Sequence, residues 1–343
     1  MPSKDLDIVI LSYNTKAITD KCLAGVLVAK EFCEEKLKNK VKVTAIDNAS
    51  LDGSTDMIEK KYPWVNLIRS KTNLGFAKGN NLGMSGVKTP YILLLNSDVF
   101  LGKDTLIKAL NYFYKNKSCD ILSVRFRYPD GRFQPSGGYS PTPLKTFAWM
   151  MGIDSVPYIR KILKPIHIWD ESFYSSFEKT PPFQGGDESN LICRPLLEVK
   201  PALLARGGRH KNERILEWAS GAFFLLKRDV YEKTGGFDEN MFLYMEDIEW
   251  CKRIKDKGFR ICFTPEIAVV HLAGASSKNN IKNQLMSQMR GLLFFHKKHY
   301  PDKLKFTRLA IRIGLLLRYI LFKIIGKTEV SGAYLNAYHN LHI

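Results

Sequence analysis

The sequence has no CxxC pair, no uninterrupted apolar run of membrane-spanning length, and too few acids to balance its bases. Cys22, Cys33, Cys119, Cys193, Cys251 and Cys262 are scattered, which argues against a zinc ribbon or a compact disulfide framework and fits reduced, structural thiols of a cytosolic protein. The leucine- and isoleucine-rich stretch from Phe306 to Gly326 is interrupted by Arg308, Arg312, Arg318 and Lys323, so it falls short of the roughly 20 apolar residues a spanning helix needs. Met1 to Asp7 is short and polar and runs straight into a strand-like segment, so no signal peptide is expected. The shortage of acid, 34 Asp+Glu against 52 Lys+Arg, leaves a formal charge of +18 and favours an anionic partner. Nucleic acid, anionic lipid and a phosphorylated substrate all qualify, but the bases are dispersed and no nucleic-acid-binding motif is visible.

What is present is enough apolar residue, 45% of 343, to bury one large α/β core with or without a helical appendage. Leu6–Leu11, Val41–Ile46, Val65–Arg69 and Tyr91–Leu95 read as strands, and Ala17–Lys30, Asp56–Lys61 and a segment starting at Gly79 read as helices. That alternation predicts a mostly parallel, doubly wound sheet, whose ligands bind beyond the carboxyl ends of the strands. The loops found there are Ser12-Tyr13-Asn14, Asp47-Asn48-Ala49-Ser50, Asn73-Leu74-Gly75 with its continuation through Lys78 to Asn81, and Asn96-Ser97-Asp98. Singly, each is ordinary turn chemistry; together they crowd one face. Further on, Trp218-Ala219-Ser220-Gly221 and Gly235-Gly236-Phe237 precede Glu246, Asp247 and Glu249, which open an amphipathic helix over Ile248 to Lys257. Carboxylates in a first helical turn are often only dipole partners.

The runs IVILSYN, DNASLDGS, NLGFAKGNN, LLNSDV and GGFDENMFLYMEDIEWCKR, in this order, make the chain resemble glycosyltransferase family 2, and within it rhamnosyltransferase-like members acting on lipid-linked glycans. The resemblance spans about Leu6 to Tyr300 and is weak between Pro129 and Glu217. It implies a GT-A (nucleotide-diphospho-sugar transferase) fold: a donor half over 1–128, an acceptor and catalytic half over 129–300 with an insertion at 129–217, and a tail over 301–343. It implies that Ser12, Tyr13, Asn14, Asp47, Asn48, Asn73, Gly75, Lys78, Asn96 and Ser97 face a dTDP- or UDP-sugar donor, with Asp47 reading the base and Lys78 beside the phosphates. Gly75 and Gly79 would then allow close backbone approach to the donor. Asp98 stands where the family's DxD-type motif holds Mn²⁺ or Mg²⁺, with Asn96 replacing the first aspartate, and His271 matches a further metal ligand of some relatives. Trp218, Ser220, Gly221, Gly236 and Phe237 match the acceptor-facing segment, and Asp247, oriented by Glu246, matches the general base of an inverting transfer to a glycan or polyprenyl-linked glycan.

In the insertion, Arg206 to Arg214 reads as a basic loop over an anionic acceptor or as plain solvated surface. In the tail, Lys305, Arg308, Arg312, Lys323 and Lys327 gather on one side of a helix with Arg318 displaced, leaving a broad apolar face. That face suits an anionic membrane surface, as for a cytoplasmic protein peripheral on the inner face of the cell membrane, or else packing on the catalytic domain or in a homodimer. Two other classes stay open on the sequence: a basic nucleic-acid-binding protein and a catalytically silent membrane-associated scaffold.

Overall fold

The computed structural model describes residues 4–168, 173, 214–274 and 281–341. The first half alternates as expected: β1 (Leu6–Ser12), α1 (Lys16–Leu37), β2 (Val41–Asp47), α2 (Ser54–Lys61), β3 (Asn66–Arg69), α3 (Gly75–Met84), β4 (Tyr91–Asn96), β5 (Val99–Phe100), α4 (Thr105–Lys115) and β6 (Ile121–Arg127). The short strands β7 (Phe133–Gln134) and β8 (Gly137–Gly138) follow, then α5 (Pro143–Met150) and α6 (Pro157–Leu163). After the insertion come β9 (Arg214–Leu216), β10 (Trp218–Ala219), β11 (Phe223–Lys227), α7 (Arg228–Thr234), α8 (Glu246–Asp256) and β12 (Ile261–His271). The chain closes with α9 (Ile281–His299), α10 (Leu304–Ile324) and α11 (Thr328–Asn340).

The main sheet runs β3-β2-β1-β4-β11-β6-β12-β5. Strands β3, β2, β1 and β4 are parallel, as the alternation predicts, but β11 inserts antiparallel between β4 and β6, and β12 then runs parallel to β6. The sheet is therefore mixed. Side chains alternate across it: Ile8, Ile10, Leu93 and Leu95 pack under α1 and α4, whereas Val9, Ile92, Leu94 and Phe224 pack on the face shared with α8 and the C-terminal helices. Cys22, Cys33, Cys119, Cys251 and Cys262 are buried, free thiols, and Cys193 lies outside the described residues.

Helix α3 begins at Gly75 and not at Gly79, so NLGFAKG is a helix start and not an open glycine loop. Gly75 has φ +77°, and a Cβ there would sit 2.6 Å from the Phe242 carbonyl oxygen, to which the Phe76 N–H donates at 2.8 Å. Gly79 lies directly against Leu11 and lets α3 settle on β1. Both glycines thus serve packing, and Gly75 lets α3 meet the segment preceding α8.

Candidate active site

The ends of β1, β2 and β4 meet at one edge. The Ser12 hydroxyl is buried with Thr19 at 2.8 Å and Thr15 at 3.3 Å, and Thr15 reaches Ser97 at 3.4 Å, so Ser12 and Ser97 knit the first and fourth loops from inside. Asn14 adopts φ +51° and accepts from the Leu51 N–H at 2.8 Å, while its own N–H donates to Ser50. Tyr13, beside it, is half-buried. Asn48 is buried and fully used: it donates to Asn73 at 2.9 Å and accepts from the Leu74 N–H at 2.8 Å, and Asn73 in turn accepts from the Gly75 N–H. Asp47 differs from these. Its Oδ2 accepts from the Ser50 N–H at 3.1 Å, but its Oδ1 is buried with no hydrogen-bond partner among the described residues, an arrangement costly unless a donor arrives.

The metal candidates come together through sheet register. His271 pairs with Val99, the residue after Asp98, and the Leu272 N–H donates to the Asp98 carbonyl at 3.1 Å. His271 Nε2 consequently stands 3.4 Å from Asp98 Oδ1. Its Nδ1 is 2.9 Å from Gln134 Oε1, a contact set by β7 pairing with β6 beside β12. A glutamine carbonyl there can accept from Nδ1–H, which would leave the Nε2 lone pair for a metal ion on the Asp98 side. Two protein ligands on a sheet edge suit a divalent ion whose remaining ligands are phosphate oxygens and water; among the described residues no cluster of three or more His, Cys, Asp or Glu could hold one alone. Nothing in the sequence around Gln134 signals this role.

Asp247 faces this edge from the other half. Tyr244 and Met245 both have positive φ, +70° and +74°, a rare conformation for side chains of that size, and the resulting turn starts α8 at Glu246. Asp247 Oδ2 accepts from the Gly221 N–H at 3.2 Å and Oδ1 from the Ile248 N–H at 2.8 Å. The next residue, Ala222, accepts through its carbonyl from the Asn96 N–H at 3.0 Å, so the segment 220–222 joins Asp247 to the loop carrying Asp98. Burial raises the Asp247 carboxyl to about 6, against the lowering effect of its backbone donors. Glu246 is enclosed, its Oε2 has no partner among the described residues, and burial together with the Asp247 charge pushes its carboxyl well above the ordinary range. Both carboxyls of the pair are thus pushed above the ordinary range, Glu246 by burial and by the Asp247 charge and Asp247 by burial. Behind them Glu249 is wholly buried: burial alone would raise its carboxyl, but hydrogen bonds from His299, Arg253 and Lys298 overcome that and hold it at about 2. Lys298 also grips Asp238 at 2.6 Å, and Arg253 donates to the Thr234 and Gly236 carbonyls, so α9 and α8 clamp the glycine-rich segment.

Four expectations are placed elsewhere by the packing. Trp218 is buried and its indole N–H donates to the Ile166 carbonyl at 2.8 Å; Phe237 is buried between Phe76 and Trp250. Both are core aromatics and not sugar platforms, and Gly236 is held against Asn81. Gly221 of that set touches Asp247, and Ser220 precedes it in the chain. Lys78 is two residues beyond Phe76, hence about 200° round the helix; Phe76 faces Gly221, whereas Lys78 is exposed in an open cleft of about 340 Å³ with Asn81, Tyr231 and Glu239. Most of the basic run Arg206 to Arg214 lies outside the described residues.

The fold is that of the GT-A glycosyltransferases. A mannosyltransferase from Pyrobaculum calidifontis, solved with GDP-Man and Mn²⁺, superposes with a TM-score of 0.55 at 13% identity over 100% of this chain and 89% of its own. GalNAc-T7, solved with UDP, GalNAc and Mn²⁺, gives 0.50 at 14% identity over 85% of this chain and 49% of its own. The glycosyl transferase family 2 model matches residues 7–165 and a glycosyltransferase-like family 2 model matches 209–289. In sequence the chain is 23% identical to the N-acetylglucosaminyl-diphospho-decaprenol L-rhamnosyltransferase of Mycobacterium tuberculosis across 91% of this chain and 93% of the relative. It is 22% identical to the rhamnosyltransferase WbbL of Escherichia coli across 58% and 61%. The chain belongs to glycosyltransferase family 2 and is similar to rhamnosyltransferases.

Proposed function

We propose that this transferase moves a sugar, rhamnose foremost, from a pyrimidine nucleotide donor to a polyprenyl-diphosphate-linked glycan, with inversion at the anomeric carbon. The observation that carries the reading is the partly open Asp247 carboxylate, raised to about 6 by burial and tied through Gly221 and Ala222 to the loop of Asp98 and His271. Asp247 takes the proton of the acceptor hydroxyl as that oxygen bonds to the anomeric carbon, and the bond from that carbon to the donor's phosphate oxygen breaks on the opposite side. The nucleoside diphosphate leaves with the electron pair. Glu246, beside it and pushed well above the ordinary carboxyl range by burial and the Asp247 charge, orients Asp247 or the acceptor. Asp98 and His271 would hold Mn²⁺ or Mg²⁺, which supplies charge neutralisation for the leaving diphosphate. Asp47 Oδ1 accepts from the ring N3–H of uracil or thymine, the donor its buried position lacks.

The choice of rhamnose is supported by the names of the mycobacterial and Escherichia coli relatives, and that of a lipid-borne acceptor by the mycobacterial name, which would set the reaction at a membrane surface. A thermal-shift panel tests the donor reading, because a ligand that binds only the folded state raises its melting temperature. UDP, dTDP and their sugars should stabilise the protein more than GDP does, and more with Mn²⁺ than without. Equal shifts from all bases would remove Asp47 from base recognition.

A further inference from the structure

Helix α10 carries more apolar surface than the protein covers. One face, with Thr307, Ala310, Ile311, Gly314 and Leu315, is buried against α5 and α11. Arg318, displaced from the other bases in the helical projection, belongs to this face: its guanidinium donates to the Met150 and Trp149 carbonyls at the end of α5. A second stripe stays exposed, with Leu309 58% and Ile324 77% accessible and Phe306, Ile313, Leu317 and Ile320 open between or beside them. These positions recur at three- and four-residue steps and fall within about 100° of the helix circumference. Lys305, Arg308, Arg312 and Lys323 line one border of the stripe, and no acidic residue occurs between Asp302 and Glu329. At the start of the helix, Phe306 and Lys303 share an open apolar cavity of about 500 Å³ with Pro143, Leu144 and Tyr300. Leu144 is itself exposed. Among the described residues no helix is long and apolar enough to cross a membrane.

We propose that this second face of α10, with the adjoining Leu144–Phe306 cavity, docks the protein flat on an anionic lipid bilayer. An exposed apolar stripe bordered by bases and free of acids matches the boundary where acyl chains meet negatively charged headgroups. The opposite face, pinned by Gly314 and Arg318, keeps the helix in the body of the protein, so docking fixes the orientation of the whole transferase. The inference deepens the proposed setting of the reaction at a lipid-borne acceptor, but its test reads binding and not turnover. Vesicle co-flotation of the full chain, with phosphatidylcholine alone or mixed with phosphatidylglycerol, is the experiment. The protein should float with the anionic vesicles and stay behind with the neutral ones, less so at high salt. K305Q/R308Q should weaken partitioning about 25-fold, at about fivefold for each base lost near the surface. L309Q/I320Q should abolish flotation while leaving the melting temperature and the UDP- or dTDP-induced thermal shift unchanged, since both positions are exposed. Flotation indifferent to lipid charge, or undiminished in L309Q/I320Q, would overturn the proposal. So would a stable dimer in light scattering that L309Q/I320Q splits without any vesicle binding, because a second copy would then own the face. Loss of the nucleotide shift with flotation intact would instead strike the donor reading and leave the docking surface standing.

Discussion

Replacing Gln134 with alanine removes the acceptor 2.9 Å from His271 Nδ1 and nothing else that touches the proposed metal pair. The imidazole would then be free to carry its proton on Nε2, the atom that faces Asp98 at 3.4 Å, and would lose a fixed ring orientation. Loss of such an outer-shell partner costs about 10- to 100-fold in metal affinity, or about 1.4–2.8 kcal/mol. Because Asp98 and His271 are the two ligands proposed among the described residues, binding should be read with a nucleoside diphosphate present, by the free Mn²⁺ signal in electron paramagnetic resonance. Q134A should raise the Mn²⁺ dissociation constant by that factor, whereas Q134E, which keeps an acceptor, should bind as tightly as the native chain or more so. Unaltered Mn²⁺ affinity in a natively folded Q134A would refute the assignment of His271 as a ligand oriented from β7.

Other consequences follow from the same geometry. D47A should weaken UDP and dTDP binding about 10- to 100-fold in calorimetry, the worth of a hydrogen bond to a charged acceptor, and leave Mn²⁺ affinity in the presence of inorganic diphosphate unchanged. E249A leaves Arg253 and Lys298 without their buried partner and should cost about 3–5 kcal/mol in urea denaturation. Because the Glu249 carboxyl is lowered to about 2 from 4.5, its contribution is present above the unfolded value and lost as pH falls through about 2. Asp247 has the opposite sign: raised from 3.8 to about 6, its contribution is full below 3.8 and lost as pH climbs through about 6. Turnover limited by proton transfer should accordingly rise through about pH 6, and D247N should melt higher than the native chain at pH 8 although it loses activity.

The parallel strands β1, β2 and β4 were legible because unbroken β-branched and leucine runs bounded by polar turns have few alternatives. Asp98, His271 and Asp247 become candidates only through their surrounding motifs, and the structure adds the contacts around them: the β5–β12 pairing and the Gly221 hydrogen bond. Glycine-rich NLGFAKG reads as a loop, yet Gly75 is there for a left-handed helix entry under the Phe242 carbonyl. Trp218 and Phe237 beside glycines look like sugar platforms, because an aromatic near a flexible segment carries the same letters whether it faces a ligand or Trp250. The antiparallel insertion of β11 depends on long-range pairing that no local pattern encodes. In the tail, helical periodicity correctly sets Arg318 apart from the other bases, but only the packing shows that α10 has two apolar faces, one covered and one open.

The central claim is that Asp247 is the base of a sugar transfer, and single-turnover transfer by D247N tests it most directly. The account predicts a fall of about 10²- to 10⁴-fold in the transfer rate, with nucleotide-sugar affinity and Mn²⁺ binding as in the native chain. Transfer at the native rate by a D247N protein that binds donor normally would contradict it.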